Sequence, residues 1–249
     1  MEFNIKNPLH IFALILLIIT IVVIIIMPML SFFGILPSTQ SADIQQVYES
    51  GGLLLEIFSL AFQLVIVIGL LVLIPFLWYI LVNNCKIKEI FSRLKLTTEN
   101  IDNAFLWGFL AAILIFVVFF VIELLLISIG TDPNELGNIQ DLEQFFSPVS
   151  LFLLIAIQPV AEEIFFRGFL FDKIDSFAGA NIAIFVTAFL FGIAHMSYQK
   201  LYPVIFPMIM GVFLGYIVVK TKNLYAAITA HVLFNITSFM LYFLAKNLI

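Results

Sequence analysis

The chain has 249 residues, of which 63% are hydrophobic and 11% are charged, with a mean hydropathy of +1.18 and a formal net charge of −5. A soluble domain has about a quarter charged residues, so a chain this poor in charge could not cover its own surface in water. Its Lys and Arg residues form no long basic run, which argues against nucleic-acid binding. Cys85 is the only cysteine, which excludes a disulfide within the chain.

Seven segments approach or exceed the length of about 20 apolar residues that a helix needs to cross a hydrocarbon core. They are residues 10–33, 53–82, 101–130, 149–171, 178–196, 202–219 and 224–245. The sequence therefore predicts an all-α fold, a polytopic bundle of about seven transmembrane helices, with a count between six and eight. The first segment is too long for the core of a signal peptide and is predicted to be a retained anchor. The long loop 130–148 has room for a short surface helix.

Positive charges concentrate on one set of connections between these segments. The connection 83–100 holds four Lys and Arg residues, whereas 34–52 and 131–148 hold none. With Arg167 set aside as intramembrane, a cytoplasmic N-terminus places eight Lys and Arg residues inside and two outside. The sequence therefore predicts a multi-pass protein of the plasma membrane with its N-terminus in the cytoplasm.

Three ionisable residues lie together inside the fourth segment. Each costs about 2.5 to 3.5 kcal/mol at the centre of a membrane helix if it is unpaired. Glu163 and Arg167 are four residues apart and can form an ion pair on one helix face. Glu162 points about 100° away from that face and has no local cation, which suits a general acid or base. Pro159 is expected to kink the helix and to open space beside Glu162.

Two later segments each carry a histidine at helical spacing from a second residue of interest. Phe191 and His195 share a face of the fifth segment, and Gly192 would let another helix approach closely. His231 and Asn235 share a face of the seventh segment, where both could donate hydrogen bonds to a developing oxyanion. Each pair taken alone is more typical of interhelical hydrogen bonding. A glutamate, two histidines and an asparagine in one bundle could together activate water and bind an oxyanion.

These residues resemble the three motifs of the CAAX prenyl endopeptidase and bacteriocin-processing (CPBP) family, also called the Abi family. The matching motifs are Glu162-Glu163-x-x-x-Arg167, Phe191-x-x-x-His195 and His231-x-x-x-Asn235. The stretches from Gly211 to Gly215 and from Lys222 to Ala227 fit the family as well. The resemblance covers about residues 148–240. It divides the chain into variable N-terminal transmembrane helices, residues 1–147, and a CPBP-like catalytic core, residues 148–245.

The resemblance implies an intramembrane endopeptidase that cleaves a peptide bond of a membrane-associated, prenylated or otherwise hydrophobic peptide. Membrane lipid and this peptide are the expected partners. Transferred to this chain, the family's roles assign water activation to Glu162 and His195. They assign oxyanion binding to His231 and Asn235. Glu163, Arg167 and Phe191 are expected to support the site.

Two catalytic arrangements remain open at this stage. In the first, Glu162 is the general base and no cofactor is needed. In the second, Glu162, His195 and His231 bind zinc, which lowers the pKa of a bound water to about 7 and fits the label of metalloprotease. The His-Glu-x-x-His helix of many zinc proteases is absent from the sequence.

Two other functions remain as alternatives. The chain could be a non-proteolytic immunity or scaffold protein that keeps the fold and binds a partner. It could also be a transporter that relays protons through buried Glu and His, although no inverted repeat is detectable. One geometric conflict accompanies all three interpretations. Helix lengths place His195 deeper than Glu162, so either the fourth helix extends past residue 171 or the fifth segment is short or tilted.

Overall fold

The protein is all-helical in the parts that its computed structural model describes. These are residues 3–36, 42–137 and 139–248, with the backbone alone described for 42–50 and 248. Within them, seven helices are long and apolar enough to cross a membrane, and no strand is present. The seven spans are Pro8–Phe32, Gly51–Leu81, Ile101–Ser128, Pro148–Ala178, Ala180–Tyr198, Tyr202–Thr221 and Leu224–Asn247. The predicted fold class and number of helices are confirmed.

The fourth span is longer than the sequence indicated. It was expected to end at residue 171, but it continues to Ala178, and Gly179 then turns the chain directly into the fifth span. Gly179 has φ of +86°, a backbone conformation that residues with a side chain rarely adopt. Glu162 therefore lies about 24 Å along the helix from Ala178, and His195 lies about 22 Å from Ala180. The two residues reach similar depths, which resolves the conflict between their predicted positions.

Three spans contain a π-helical segment, in which backbone hydrogen bonds skip one residue more than in an α-helix. These segments are Val22–Ile26, Gly69–Leu73 and Ile164–Leu170. Pro28 and Pro75 follow the first two, where the missing backbone N–H already disturbs the α-helical pattern. In the fourth span the α-helix continues through Pro159 to Glu163, and the π-helical segment begins at Ile164.

Short helices and polar contacts join the spans at both ends of the bundle. The connection 83–100 carries the helix Ile87–Arg93, and Asn223 donates hydrogen bonds to the backbone oxygens of Thr97 and Glu99. The opposite end carries the predicted surface helix, Ile139–Glu143. It is tied to the later spans by ion pairs from Lys200 to Asp141 and from Lys246 to Glu143.

Glycines allow several spans to approach one another closely around the fourth span. A Cβ on Gly108 of the third span would lie 2.7 Å from the backbone oxygen of Ala226 in the seventh. A Cβ on Gly192 of the fifth span would lie 2.8 Å from the backbone oxygen of Val204 in the sixth, as the sequence led us to expect for this glycine. This packing buries the polar face of the fourth span.

Candidate active site

A fully buried ion pair on the fourth span lies next to the candidate catalytic residues. Arg167 Nη1 donates to Glu163 Oε1 at 2.9 Å, and both side chains are completely shielded from solvent. The Nδ1 of His231 lies 2.9 Å from the same oxygen. Because a carboxylate only accepts, Nδ1 carries the hydrogen of this bond. The predicted Glu163–Arg167 pair therefore also holds the His231 ring from the seventh span.

The guanidinium of Arg167 is enclosed by aromatic and small residues. Its Cζ lies 4.2 Å from the centroid of the Phe191 ring, a distance typical of a cation–π contact. On the sixth span, a Cβ on Gly211 would lie 2.9 Å from Arg167 Nη2 and 2.8 Å from the Cα of Ala188. The absence of a side chain at Gly211 therefore leaves the space that the guanidinium occupies.

Glu162 contacts two polar side chains. Gln158, one turn earlier in the same span, donates from Nε2 to Glu162 Oε1 at 2.7 Å. On its other side, Glu162 Oε2 lies 3.8 Å from His231 Nε2. Only 7% of the surface of Glu162 is exposed. The carboxylate is thus oriented by a neutral donor and a histidine, while the arginine binds Glu163.

His195 is oriented by its own helix. Its Nδ1 lies 2.7 Å from the backbone oxygen of Phe191, and the two rings are in edge-to-face contact with centroids 4.7 Å apart. A carbonyl oxygen accepts only, so Nδ1 carries the hydrogen and Nε2 of the neutral ring keeps its lone pair. Phe191 also contacts the His231 ring, with centroids 5.6 Å apart. This single phenylalanine therefore separates and positions both histidines and the arginine.

Glu162 and His195 line one cavity of about 310 Å³, a volume at the lower end of the range for ligand sites. Gln158 and Phe166 line it from the fourth span, and Ala194, Ser197 and Tyr198 from the end of the fifth. His231 and Asn235 are not among the lining residues. His231 is buried behind Glu162, and Asn235 is half-buried one turn further along the seventh span. Their predicted role as oxyanion donors stays a prediction.

The opposite wall of the cavity comes from the first two spans. The lining residues there are Val23, Ile24, Pro28, Gln63, Ile66, Val67, Leu70 and Leu71. Each of the three π-helical segments contributes at least one residue to the lining, and such segments are frequent at functional sites. Sequence reasoning missed this wall, since it looked for ionisable groups in the later half. Gln63 and Gln158, uncharged polar residues within apolar spans, were a signal that it did not use.

The zinc alternative requires Glu162, His195 and His231 to converge on one metal ion. Among the side chains that the structure describes, no three His, Cys, Asp or Glu residues are arranged to bind one metal ion. Both histidines are bonded through Nδ1, His195 to a carbonyl and His231 to Glu163, which leaves each Nε2 available and does not itself argue against a metal. As placed, Glu162, His195 and His231 form no zinc site, and metal dependence stays a prediction; the proposed mechanism uses the protein side chains alone.

Part of the chain is similar to a known protein family. Residues 144–237, less than half of the chain, match the family model for type II CAAX prenyl endopeptidase Rce1-like proteins. No curated protein and no solved structure matches the chain significantly. The matched segment contains all three motifs and the buried polar cluster. The apolar helices identify an integral membrane protein. Together with them, the match confirms the family that the motifs predicted, and residues 144–237 are those of a CPBP-family, CAAX-type intramembrane protease.

Proposed function

We propose that this protein is an endopeptidase that hydrolyses a peptide bond of a prenylated or otherwise hydrophobic peptide within the membrane. One observation carries the proposal. Glu162, in the middle of the fourth span, and His195, near the end of the fifth, line the same cavity. The apolar wall from the first two spans suits a hydrophobic substrate. The CAAX prenyl endopeptidase description of the matching family favours a prenylated one.

In the proposed first step, Glu162 and His195 activate a water molecule in the cavity. The water oxygen attacks the scissile carbonyl carbon while the Glu162 carboxylate accepts one of its protons. His195 Nε2 accepts a hydrogen bond from the other O–H and orients the nucleophile, because Nδ1–H is committed to the Phe191 carbonyl. Glu162 then passes the proton to the leaving amine nitrogen as the C–N bond breaks. Gln158 keeps the carboxylate in the orientation that both transfers need.

In the same proposal, His231 and Asn235 stabilise the oxyanion. His231 is fixed through Nδ1 by Glu163, and its Nε2 is directed towards Glu162, next to the site of attack. Glu162, Glu163 and Arg167 together carry a net charge of −1, so a doubly protonated His231 makes the cluster neutral. An imidazolium there would donate from Nε2 to the developing negative charge. Removing one donor of this kind typically lowers kcat by about 10² to 10³.

The test is cleavage of a farnesylated, fluorescence-quenched peptide by the purified protein in liposomes, compared with the same peptide without the farnesyl group. Glu162→Gln should abolish cleavage, and His195→Ala should lower kcat at least 100-fold if it orients the water, an order of magnitude typical of general acid–base groups. The matched control is Glu123→Gln, which changes a half-buried glutamate of the third span that does not line the cavity. Cleavage that survives both Glu162→Gln and His195→Ala would refute the proposal.

We further propose that the N-terminus is cytoplasmic and that the protein resides in the plasma membrane. Eight Lys and Arg residues at one end of the bundle against two at the other support this orientation. The orientation can be tested by replacing Cys85 with serine and introducing one cysteine at the exposed position Lys88. An impermeant thiol reagent should label this cysteine only after the membrane is opened. Labelling in intact cells would contradict the orientation.

A further inference from the structure

Gln63 is the one residue of the apolar wall formed by the first two spans that carries an amide group into the cavity. It follows Gly51 by 12 residues and precedes Leu81 by 18, so it lies far from both ends of the second span. Its neighbours in the cavity lining on that span are Ile66, Val67, Leu70 and Leu71. Among the residues that the structure describes, the Gln63 side chain has no hydrogen-bond partner. A polar group at this depth that lacks a partner is costly and needs an explanation.

The two glutamines that line the cavity differ in which of their hydrogen-bonding atoms already have a partner. Gln158 uses Nε2 to hold Glu162 Oε1. Gln63 keeps both its carbonyl oxygen and its amino group free, so it presents one acceptor and two donors. One residue of an extended backbone presents the complementary set on a single side, its own N–H and its own C=O. Along the apolar wall, a bound peptide must find protein partners for those backbone groups, because apolar side chains and lipid offer no replacement for water.

From this complementarity we infer that Gln63 is a substrate-binding residue that forms paired hydrogen bonds with the backbone N–H and C=O of one extended residue next to the scissile bond. The inference rests on the proposed endopeptidase function and adds a specific contact to it. In this inference the second span aligns the peptide across the cavity from Glu162. That span lies outside the segment that matches the protease family. Because the contact is to backbone atoms, it selects an extended peptide and not a particular side chain.

The first experiment measures binding without turnover. In a Glu162→Gln background, Gln63→Met should weaken binding of the labelled farnesylated peptide about tenfold, the effect of losing about 1.4 kcal/mol in one or two hydrogen bonds. Methionine matches glutamine in length and cannot form these bonds. Val65→Ala, on the lipid-exposed side of the same span and outside both cavities that Gln63 lines, is the matched control and should leave the dissociation constant unchanged.

The second experiment locates the bond. Peptides in which one N–H at a time is replaced by an ester oxygen are cleaved by the wild-type protein and by Gln63→Met. At one position the ester should raise KM for the wild type about tenfold and have little effect on Gln63→Met, since the partner is already missing. Equal binding by Gln63→Met and its parent, with no ester position that couples to Gln63, would overturn the inference and leave the proteolytic function intact. Cleavage that survives both Glu162→Gln and His195→Ala would overturn the proposed function instead.

Discussion

The second and fourth spans, Gly51–Leu81 and Pro148–Ala178, are both 31 residues long, and each contains a proline and a π-helical segment. In the second span 11% of the most apolar window is buried inside the protein, against 56% in the fourth. The more polar helix is therefore the more buried one, the reverse of a soluble protein. Lipid solvates apolar side chains as well as other helices do, so the residues that need protein partners are the charged and polar ones.

The two spans also contribute differently to the cavity. The fourth span supplies the carboxylate and the glutamine that holds it, whereas the second supplies a mostly apolar wall with one amide. If this division is correct, substitutions of buried residues near the fourth span should affect stability or catalysis strongly. Comparable substitutions on the lipid-facing side of the second span should have little effect.

The largest expected effect comes from the buried ion pair of the fourth span. Arg167→Ala leaves the Glu163 charge buried without its arginine, a change that typically costs about 3 to 5 kcal/mol. For a chain of this size that corresponds to a decrease in Tm of about 6 to 20 °C, with loss of activity. The measurement is thermal unfolding in detergent. The control is Lys246→Ala, since Lys246 is 54% exposed and its pair with Glu143 is worth at most about 1 kcal/mol. Similar decreases for both variants would contradict this interpretation.

The next effect is catalytic and concerns Gln158. Gln158→Leu removes the donor to Glu162, and a hydrogen bond to a charged group is worth about 1.5 to 3 kcal/mol. We expect kcat for the quenched peptide to fall about 10- to 100-fold, with little change in KM or Tm, because the residue positions the base. Ile157→Leu, at the adjacent and largely lipid-facing position, should behave as the wild type. A parallel loss of Tm would indicate a purely structural role.

A smaller effect on stability is expected from glycine substitutions, and it should differ between a glycine packed beside the fourth span and one in the second span. Gly211→Ala should destabilise the protein by about 1 to 3 kcal/mol, because the new Cβ would collide with Ala188 and the Arg167 guanidinium. Gly69→Ala, in the second span, should be neutral or slightly stabilising, since no atom lies within 4 Å of the added Cβ. The two Tm values in detergent measure the difference directly. Equal Tm values would mean that the sixth span shifts to accommodate the new Cβ without a loss of stability.

The smallest effect concerns Lys95, in the connection between the second and third spans, which packs over the Phe171 ring of the fourth. Burial lowers the pKa of Lys95, and the carboxylates of Asp172 and Asp175 partly offset this. The unfolded chain therefore keeps this proton to higher pH than the folded protein, so stability increases as pH rises towards about 10.4. In Lys95→Met this contribution to the increase in Tm between pH 7 and pH 10 should disappear. The exposed Lys88→Met variant should keep it, and identical pH profiles for all three proteins would contradict the assignment.

Much of this protein could be predicted from the sequence. Apolar segments of membrane length determine the number of spans, since a helix is the simplest way to satisfy the backbone in lipid. Ionisable residues inside those segments identified Glu162, Glu163, Arg167, His195 and His231, because unpaired groups of this kind are costly there. The family followed from their order and spacing, and the match over residues 144–237 confirms it.

Tertiary structure alone decided which of these groups meet. Helical spacing paired Glu163 with Arg167, but it could not show that His231, 68 residues later, binds the same carboxylate oxygen. Nor could it show that Gly211 leaves space for the guanidinium or that the first two spans close the cavity. Local sequence determines a helix and its faces because those depend on neighbours within one turn. Which faces meet depends on the packing of separate helices, and residues far apart in the sequence determine it together.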